Sequence, residues 1–207
     1  PGNAKRILAG YREALDQGAD IVVTPELSLV GYPPRDLVFK SQFVPRCLQA
    51  LDYLRQEVGD VPLLVGYVDR SDKQPGRPYR NAVAWLEGGE IRERVWKTLL
   101  PTYDVFDEWR YFEPGEACRA IEFKGRRIGV TVCEDIWTED FLYRPLYERD
   151  PVAELKEEGV ELILNVSASP FALNKPVSRR NLLASVAREA DVPLVYCNAV
   201  GGQDQLI

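Results

Sequence analysis

The sequence predicts a layered α/β or α+β domain built on mixed sheets. Three observations carry that expectation. Helical periodicities alternate with short apolar runs in the first third of the chain, the same alternation returns in the last third, and the middle carries two hairpins. Alternating helices and strands favour parallel pairing, whereas hairpins force antiparallel pairing, so sheets holding both are mixed.

The elements follow in order. From Asn3 to Gly18, Ile7, Leu8, Tyr11 and Leu15 share one helical face, with Asn3 as a candidate cap and Gly18 as a stop. Ile21-Val22-Val23-Thr24 is a continuous apolar run suited to a strand covered on both faces. A second helix spans Val44 to Val58, where Val44, Cys47, Leu48, Leu51, Leu54 and Val58 recur at three- and four-residue steps, and it leads into a strand from Pro62 to Val68. Arg70 to Arg80, with Pro75, Gly76 and Pro78, reads as a loop. Strands from Ala82 to Leu86 and Ile91 to Lys97 flank the Gly88-Gly89 turn. Strands from Ala120 to Phe123 and Arg127 to Val132 flank Lys124-Gly125. The last third predicts a helix from Val152 to Glu158, a strand from Val160 to Val166, a helix from Arg179 to Ala190 and a strand from Pro193 to Asn198. No repeat, low-complexity run or linker divides the chain, so residues 1–207 form one domain.

Composition narrows the function. With 207 residues, 45% of them hydrophobic, the chain buries a sizeable core. Its longest apolar stretches, such as Leu63-Leu64-Val65 and Leu162-Ile163-Leu164, are far too short to span a membrane. Twenty-six basic residues against 32 acidic ones leave a net charge of -6, which argues against a nucleic-acid surface. Arg179-Arg180 is too small a basic cluster to reverse that. Histidine is absent, which removes imidazole bases, Ser-His triads and most catalytic zinc sites. The four cysteines, Cys47, Cys118, Cys133 and Cys197, show no CxxC spacing and read as free thiols of a reducing compartment. No signal peptide or lipidation pattern is evident, so a cytoplasmic address is expected.

Side chains at strand ends are held rigidly yet face a crevice, and three such ends carry chemistry. Glu26 follows Thr24-Pro25, Lys97 ends Val95-Trp96-Lys97, and Cys133 follows Gly129-Val130-Thr131-Val132. Taken singly, each has an ordinary reading as a solvated carboxylate, a surface ammonium or a packed thiol. Together they supply acyl transfer without histidine. A thiolate attacks, a carboxylate takes its proton and passes it to the leaving amine, and an ammonium stabilises the tetrahedral oxyanion. That set suits amide hydrolysis.

The runs PELSLVGYPPRDL from Pro25, KTLLPTYDVFDE from Lys97 and GVTVCEDIW from Gly129 resemble the nitrilase superfamily. More narrowly, with NVSASPF from Asn165, they are similar to the glutaminase domains of glutamine-dependent NAD synthetases, and the resemblance covers almost the whole chain. It implies a four-layer α-β-β-α sandwich. It implies Glu26 as general base, Lys97 as the oxyanion-stabilising lysine, Cys133 as nucleophile and Glu108 as a second, positioning glutamate. Tyr103, Glu134, Ser169 and Lys175 match positions that hold glutamine, and Tyr32 is placed in the same pocket. Lys175 stands where the family often carries arginine, offering a point charge in place of a fork.

The implied reaction is hydrolysis of the side-chain amide of glutamine through a cysteine thioester, without a metal. The ammonia would pass to a synthetase domain. No Walker A sequence, GxGxxG loop or GxSxG elbow occurs, so no cofactor is expected on this domain; ATP and deamido-NAD belong on the synthetase domain. The sequon Asn165-Val166-Ser167 follows a buried-looking strand and is taken as accidental. The chain lacks methionine and opens at a helix where the family has a preceding strand, so truncation at both ends is expected. Unpaired sheet edges would then favour a homo-oligomer. Two other readings stay open: a stand-alone nitrilase-type amidase on another small amide, and a catalytically silent assembly domain.

Overall fold

The computed structural model describes residues 2–137 and 146–202. Among them, four helices and eight strands follow in the order α1 (Gly2–Asp16), β1 (Val22–Val23), α2 (Phe43–Glu57), β2 (Leu63–Arg70), β3 (Tyr79–Glu87), β4 (Glu90–Trp96), β5 (Ile121–Phe123), β6 (Arg126–Val132), α3 (Pro151–Glu157), β7 (Leu162–Ser167), α4 (Lys175–Ala190) and β8 (Leu194–Asn198). The strands form two four-stranded sheets, β1-β2-β3-β4 and β5-β6-β7-β8. Both are mixed. β1 runs parallel to β2, while β2-β3 and β3-β4 are antiparallel; β5-β6 is antiparallel, while β6-β7 and β7-β8 are parallel.

Strand alternation builds the layers. Ala82, Ala84 and Leu86 of β3 join Leu8, Tyr11, Leu51 and Leu54 in the core beneath α1 and α2. The intervening Val83 and Trp85 point the other way, into a second core shared with Val130, Val132, Leu164 and Val166 of the opposing sheet. Trp85 meets Phe123 edge-on at 5.7 Å across that layer, and truncating such a buried aromatic costs about 3–5 kcal/mol. A third core, with Leu155, Ile163, Leu182 and Val186, lies under α3 and α4. The order helix, sheet, sheet, helix is the four-layer sandwich that the motifs implied.

Three local departures from the sequence expectation have physical causes. Helix α1 already includes Gly2, so Asn3 is no cap; its amide donates to the Leu29 carbonyl at 3.3 Å. Leu15 was expected in the core but is 36% exposed at the rim of the helix. Helix α4 starts at Lys175, a turn before the expected Arg179, because Pro176 in its first turn lacks only an N–H that has no intrahelical partner there. The sequon asparagine, Asn165, lies within β7 and is fully buried.

Candidate active site

Glu26, Lys97 and Cys133 converge at one end of the inter-sheet layer. The turn after β1 delivers Glu26. Leu27 takes a left-handed φ of 49°, and Gly31 N–H closes on the Leu27 carbonyl at 2.7 Å. Gly66 of β2 makes room for this turn, since a Cβ there would stand 2.5 Å from the Pro25 carbonyl oxygen and 2.9 Å from the Glu26 carbonyl carbon. Glu26 is 1% exposed.

Lys97 follows β4 on the same strand face as Val95 and is completely buried. Its Nζ donates to Glu26 Oε1 at 2.8 Å and to Glu108 Oε1 at 2.7 Å. Glu108 opens a 3₁₀ turn and also accepts from the Tyr32 hydroxyl at 2.8 Å. Asn81, at the inward register of β3, donates one amide nitrogen to Glu26 Oε1 at 2.7 Å and to Glu108 Oε2 at 3.3 Å. Glu26 Oε2 accepts from the Ala168 amide at 3.0 Å. Burial by itself would push the Lys97 ammonium down, but Glu108, Glu26 and Cys133 outweigh it and hold it well above the ordinary lysine range. Burial pushes the Glu108 carboxyl up; Lys97 pulls it back and Glu26 pushes it up again, leaving it raised.

Cys133 sits where β6 breaks into the 3₁₀ turn Cys133–Ile136, with a left-handed φ of 46°. Such a conformation costs on the order of 1–3 kcal/mol and persists only when its surroundings enforce it. Asn165 contributes, donating to the Cys133 carbonyl at 3.4 Å and to Thr131 Oγ1 at 3.0 Å. Burial pushes the thiol well above the usual range, Glu26 adds to the rise, and Lys97 only partly offsets it. The ammonium thus favours a thiolate, as its charge requires, without being the winning influence.

Around this centre, Glu134 Oε1 accepts from Tyr103 at 2.6 Å and from Tyr147 at 3.0 Å. Burial raises the Glu134 carboxyl against those two hydroxyls and Lys97. On the other side, Ser169 takes its N–H to Asn198 Oδ1 at 2.8 Å, and its Oγ accepts from Arg179 at 3.2 Å. Arg179 also reaches the Ser169 and Pro170 carbonyls at 3.3 and 3.4 Å. Lys175 is half-buried one turn before Arg179; burial first and the Arg179 charge second lower its ammonium, while Cys133 and Glu134 raise it. Arg179, one turn further along α4, is the group that holds the Ser169 hydroxyl. Glu26, Tyr32, Ala168 and Ser169 line a cavity of about 260 Å³. A cleft of about 560 Å³ beside it takes in Lys175, Arg179 and Trp137 but no part of the buried carboxylate–lysine network.

A carbon-nitrogen hydrolase family model matches residues 1–207. The chain belongs to the carbon-nitrogen hydrolase family. It is 39% identical over 210 residues to the glutamine-dependent NAD(+) synthetase of Synechocystis, covering 99% of this chain and 38% of that protein. It is 41% identical over 209 residues to the enzyme of that name from Thermotoga maritima, covering 100% and 34%. The structure of the glutamine-dependent NAD+ synthetase of Acinetobacter baumannii in complex with ADP superposes with a TM-score of 0.87 at 32% identity, over 100% of this chain and 36% of that one. An amidase from Nesterenkonia shares the fold, with a TM-score of 0.77 at 22% identity over 100% and 73% of the two chains. The chain spans about a third of the length of the curated relatives it matches.

In this carbon-nitrogen hydrolase, Asn81, Tyr147 and Arg179 join the site without belonging to any of the sequence motifs. Asn81 had a usable signal, because it shares the inward register of Val83 and Trp85 and so places an amide among core residues. Its Oδ1 is the buried side-chain oxygen without a hydrogen-bond partner among the described residues, an arrangement that costs about 1–3 kcal/mol. Arg179 had a weaker signal, its position four residues after Lys175 on one helix. Tyr147 had none.

Proposed function

We propose that this chain is the glutaminase domain of a glutamine-dependent NAD synthetase. The observation that carries the reading is the fully buried Lys97 held between Glu26 and Glu108, with the buried Cys133 thiol in the same site. A standing thiolate would need no base. A raised thiol needs one at the moment of attack, and Glu26 is the carboxylate whose charge weighs most on Cys133.

In the proposed reaction, Glu26 takes the Cys133 proton as Sγ bonds to the side-chain amide carbon of glutamine. The carbonyl electron pair moves onto oxygen, where the Lys97 ammonium stabilises it. The C–N bond then breaks and Glu26 returns the proton to nitrogen, releasing ammonia and leaving a γ-glutamyl thioester. Water attacks that thioester, giving a proton to Glu26; the C–S bond breaks, Sγ recovers a proton and glutamate departs. Glu108, braced by Tyr32 and Asn81, positions Lys97 throughout.

Glutamine is favoured over shorter or uncharged amides by groups of opposite character around the thiol. Glu134, with Tyr103 and Tyr147, suits the α-ammonium, while Lys175 and Ser169, with Arg179 behind them, suit the α-carboxylate. The relatives that cover this chain at 39% and 41% identity, both glutamine-dependent NAD synthetases, support the substrate. The ammonia would serve a synthetase part holding ATP and deamido-NAD, in a cytoplasmic homo-oligomer, and no cofactor is assigned to this domain.

Ammonia release from glutamine, asparagine and acetamide, with intact-mass detection of the acylated protein, tests this. A strong preference for glutamine and an adduct mapped to Cys133 are expected. Equal use of the three amides would replace glutaminase with a general amidase, and an adduct elsewhere would remove Cys133 from its role.

A further inference from the structure

Asp135 is 2% exposed, and its carboxylate is bound by three backbone amides. Oδ1 accepts from Thr98 N–H at 2.9 Å and Leu99 N–H at 2.8 Å, and Oδ2 accepts from Val132 N–H at 3.0 Å. Thr98 and Leu99 directly follow Lys97, at the end of β4 in the first sheet, and Val132 directly precedes Cys133, at the end of β6 in the second. One side chain therefore joins the two sheets at the two backbone points that carry the ammonium and the thiol.

We propose that Asp135 is a positioning residue that sets the separation of Lys97 Nζ and Cys133 Sγ by clamping Thr98-Leu99 to Val132. The inference rests on the reading of Cys133 as nucleophile. A buried carboxylate is a poor way to gain stability alone, because its desolvation costs several kcal/mol and an apolar residue of similar volume would avoid it. Here burial pushes the carboxyl up to about 7 even with Leu99, Val132, Lys97 and Thr98 pulling it down. What the carboxylate adds is geometry: two oxygens, each with spare lone pairs, accept three amides from two strands at once. It also secures Val132, the residue on which the left-handed Cys133 turns.

The test compares Asp135→Asn and Asp135→Glu with the wild type in the full-length protein. Asn matches Asp in shape but sets an amide N–H₂ or a lone acceptor against three donors, while Glu keeps the charge and displaces it by one methylene. The clamp predicts that kcat falls about a hundredfold in each folded variant while the glutamine KM stays within about twofold. It also predicts faster hydrogen exchange at the amides of Thr98, Leu99 and Val132 in Asp135→Asn, with the other strand amides unchanged. A folded variant with kcat within about threefold of wild type would overturn the proposal, as would unchanged exchange at those amides. So would a lower melting temperature with unaltered kcat per folded molecule, which marks a purely structural role. If Asp135→Asn does not fold, Asp135→Glu decides by the same kcat criterion. A wild-type protein inert toward glutamine would refute the proposed substrate instead, and amide exchange would still judge the clamp.

Discussion

Gly66→Ala isolates the contribution of close backbone packing to the placement of Glu26. The added methyl would stand 2.5 Å from the Pro25 carbonyl oxygen and 2.9 Å from the Glu26 carbonyl carbon, and real Cβ atoms essentially never come within 3.0 Å of a neighbour. Either β2 or the Pro25–Leu27 turn must therefore retreat by about half an ångström, since well-packed interiors leave no slack to absorb it. Gly66 pairs with Val83 inside the sheet, so β2 is the less mobile of the two. The turn should move and carry Glu26 with it. Overpacking of this kind costs about 1–3 kcal/mol, and the reduced freedom of the unfolded chain returns about 0.4–1 kcal/mol. The net loss of roughly 1–2 kcal/mol lowers Tm by a few degrees for a chain of this length. The kinetic effect is larger, because displacements of this order cost about ten- to a hundredfold in rate. Single-turnover thioester formation and thermal unfolding, measured on the same preparation, separate the two. A variant with wild-type acylation would show that Gly66 does not govern Glu26, even if its Tm had fallen.

Four other outcomes follow from the site. On the proposed glutaminase reading, Cys133→Ala should abolish release of ammonia from glutamine, and residual release near wild type would exclude Cys133 as nucleophile. Lys97→Met leaves Glu26 and Glu108 facing each other without their cation, a loss of about 3–5 kcal/mol; calorimetry should show Lys97→Met/Glu108→Gln recovering part of the Tm without activity. Lys175→Ala should raise the glutamine KM by roughly ten- to a hundredfold, and Arg179→Ala should do so through misplacement of Ser169, whereas kcat-only effects in steady-state kinetics would contradict a substrate-binding role. For pH, the Asp135 carboxyl at about 7 lies above the usual carboxylate value, so the folded state takes up this proton first as pH falls. Its contribution to stability is fully present below the ordinary carboxylate pKa and is lost as pH rises through about 7. Ionisation nevertheless completes the clamp. Activity should thus rise through that window as this contribution to Tm declines, with Lys97, Cys118 and Arg149 as the charged or titratable groups facing Asp135. Both trends should vanish in Asp135→Asn, and a pH–kcat profile identical to wild type would refute the assignment.

Local sequence determined the elements and the order of the chemistry. Alternation in β3 already separates Ala82, Ala84 and Leu86 from Val83 and Trp85, and turn glycines such as Gly88 and Gly89 bound the hairpins, because side-chain direction in a strand follows from chain position alone. Glu26, Lys97, Glu108 and Cys133 were legible because their motifs are contiguous. Tertiary structure decided what those residues are to one another. Lys97 reads as a surface lysine on its own strand, and only the fold buries it and sets it between two carboxylates, from the turn after β1 and from the loop that follows Lys97. The upward push on the Cys133 thiol is equally non-local, since burial and the opposing charges of Glu26 and Lys97 come from segments far apart in sequence. Tyr147 and Asp135 went unread for the same reason. A hydrogen bond to a distant carboxylate, hydroxyl or backbone amide imposes no periodicity on the chain that makes it, so it exists only once the strands are in place.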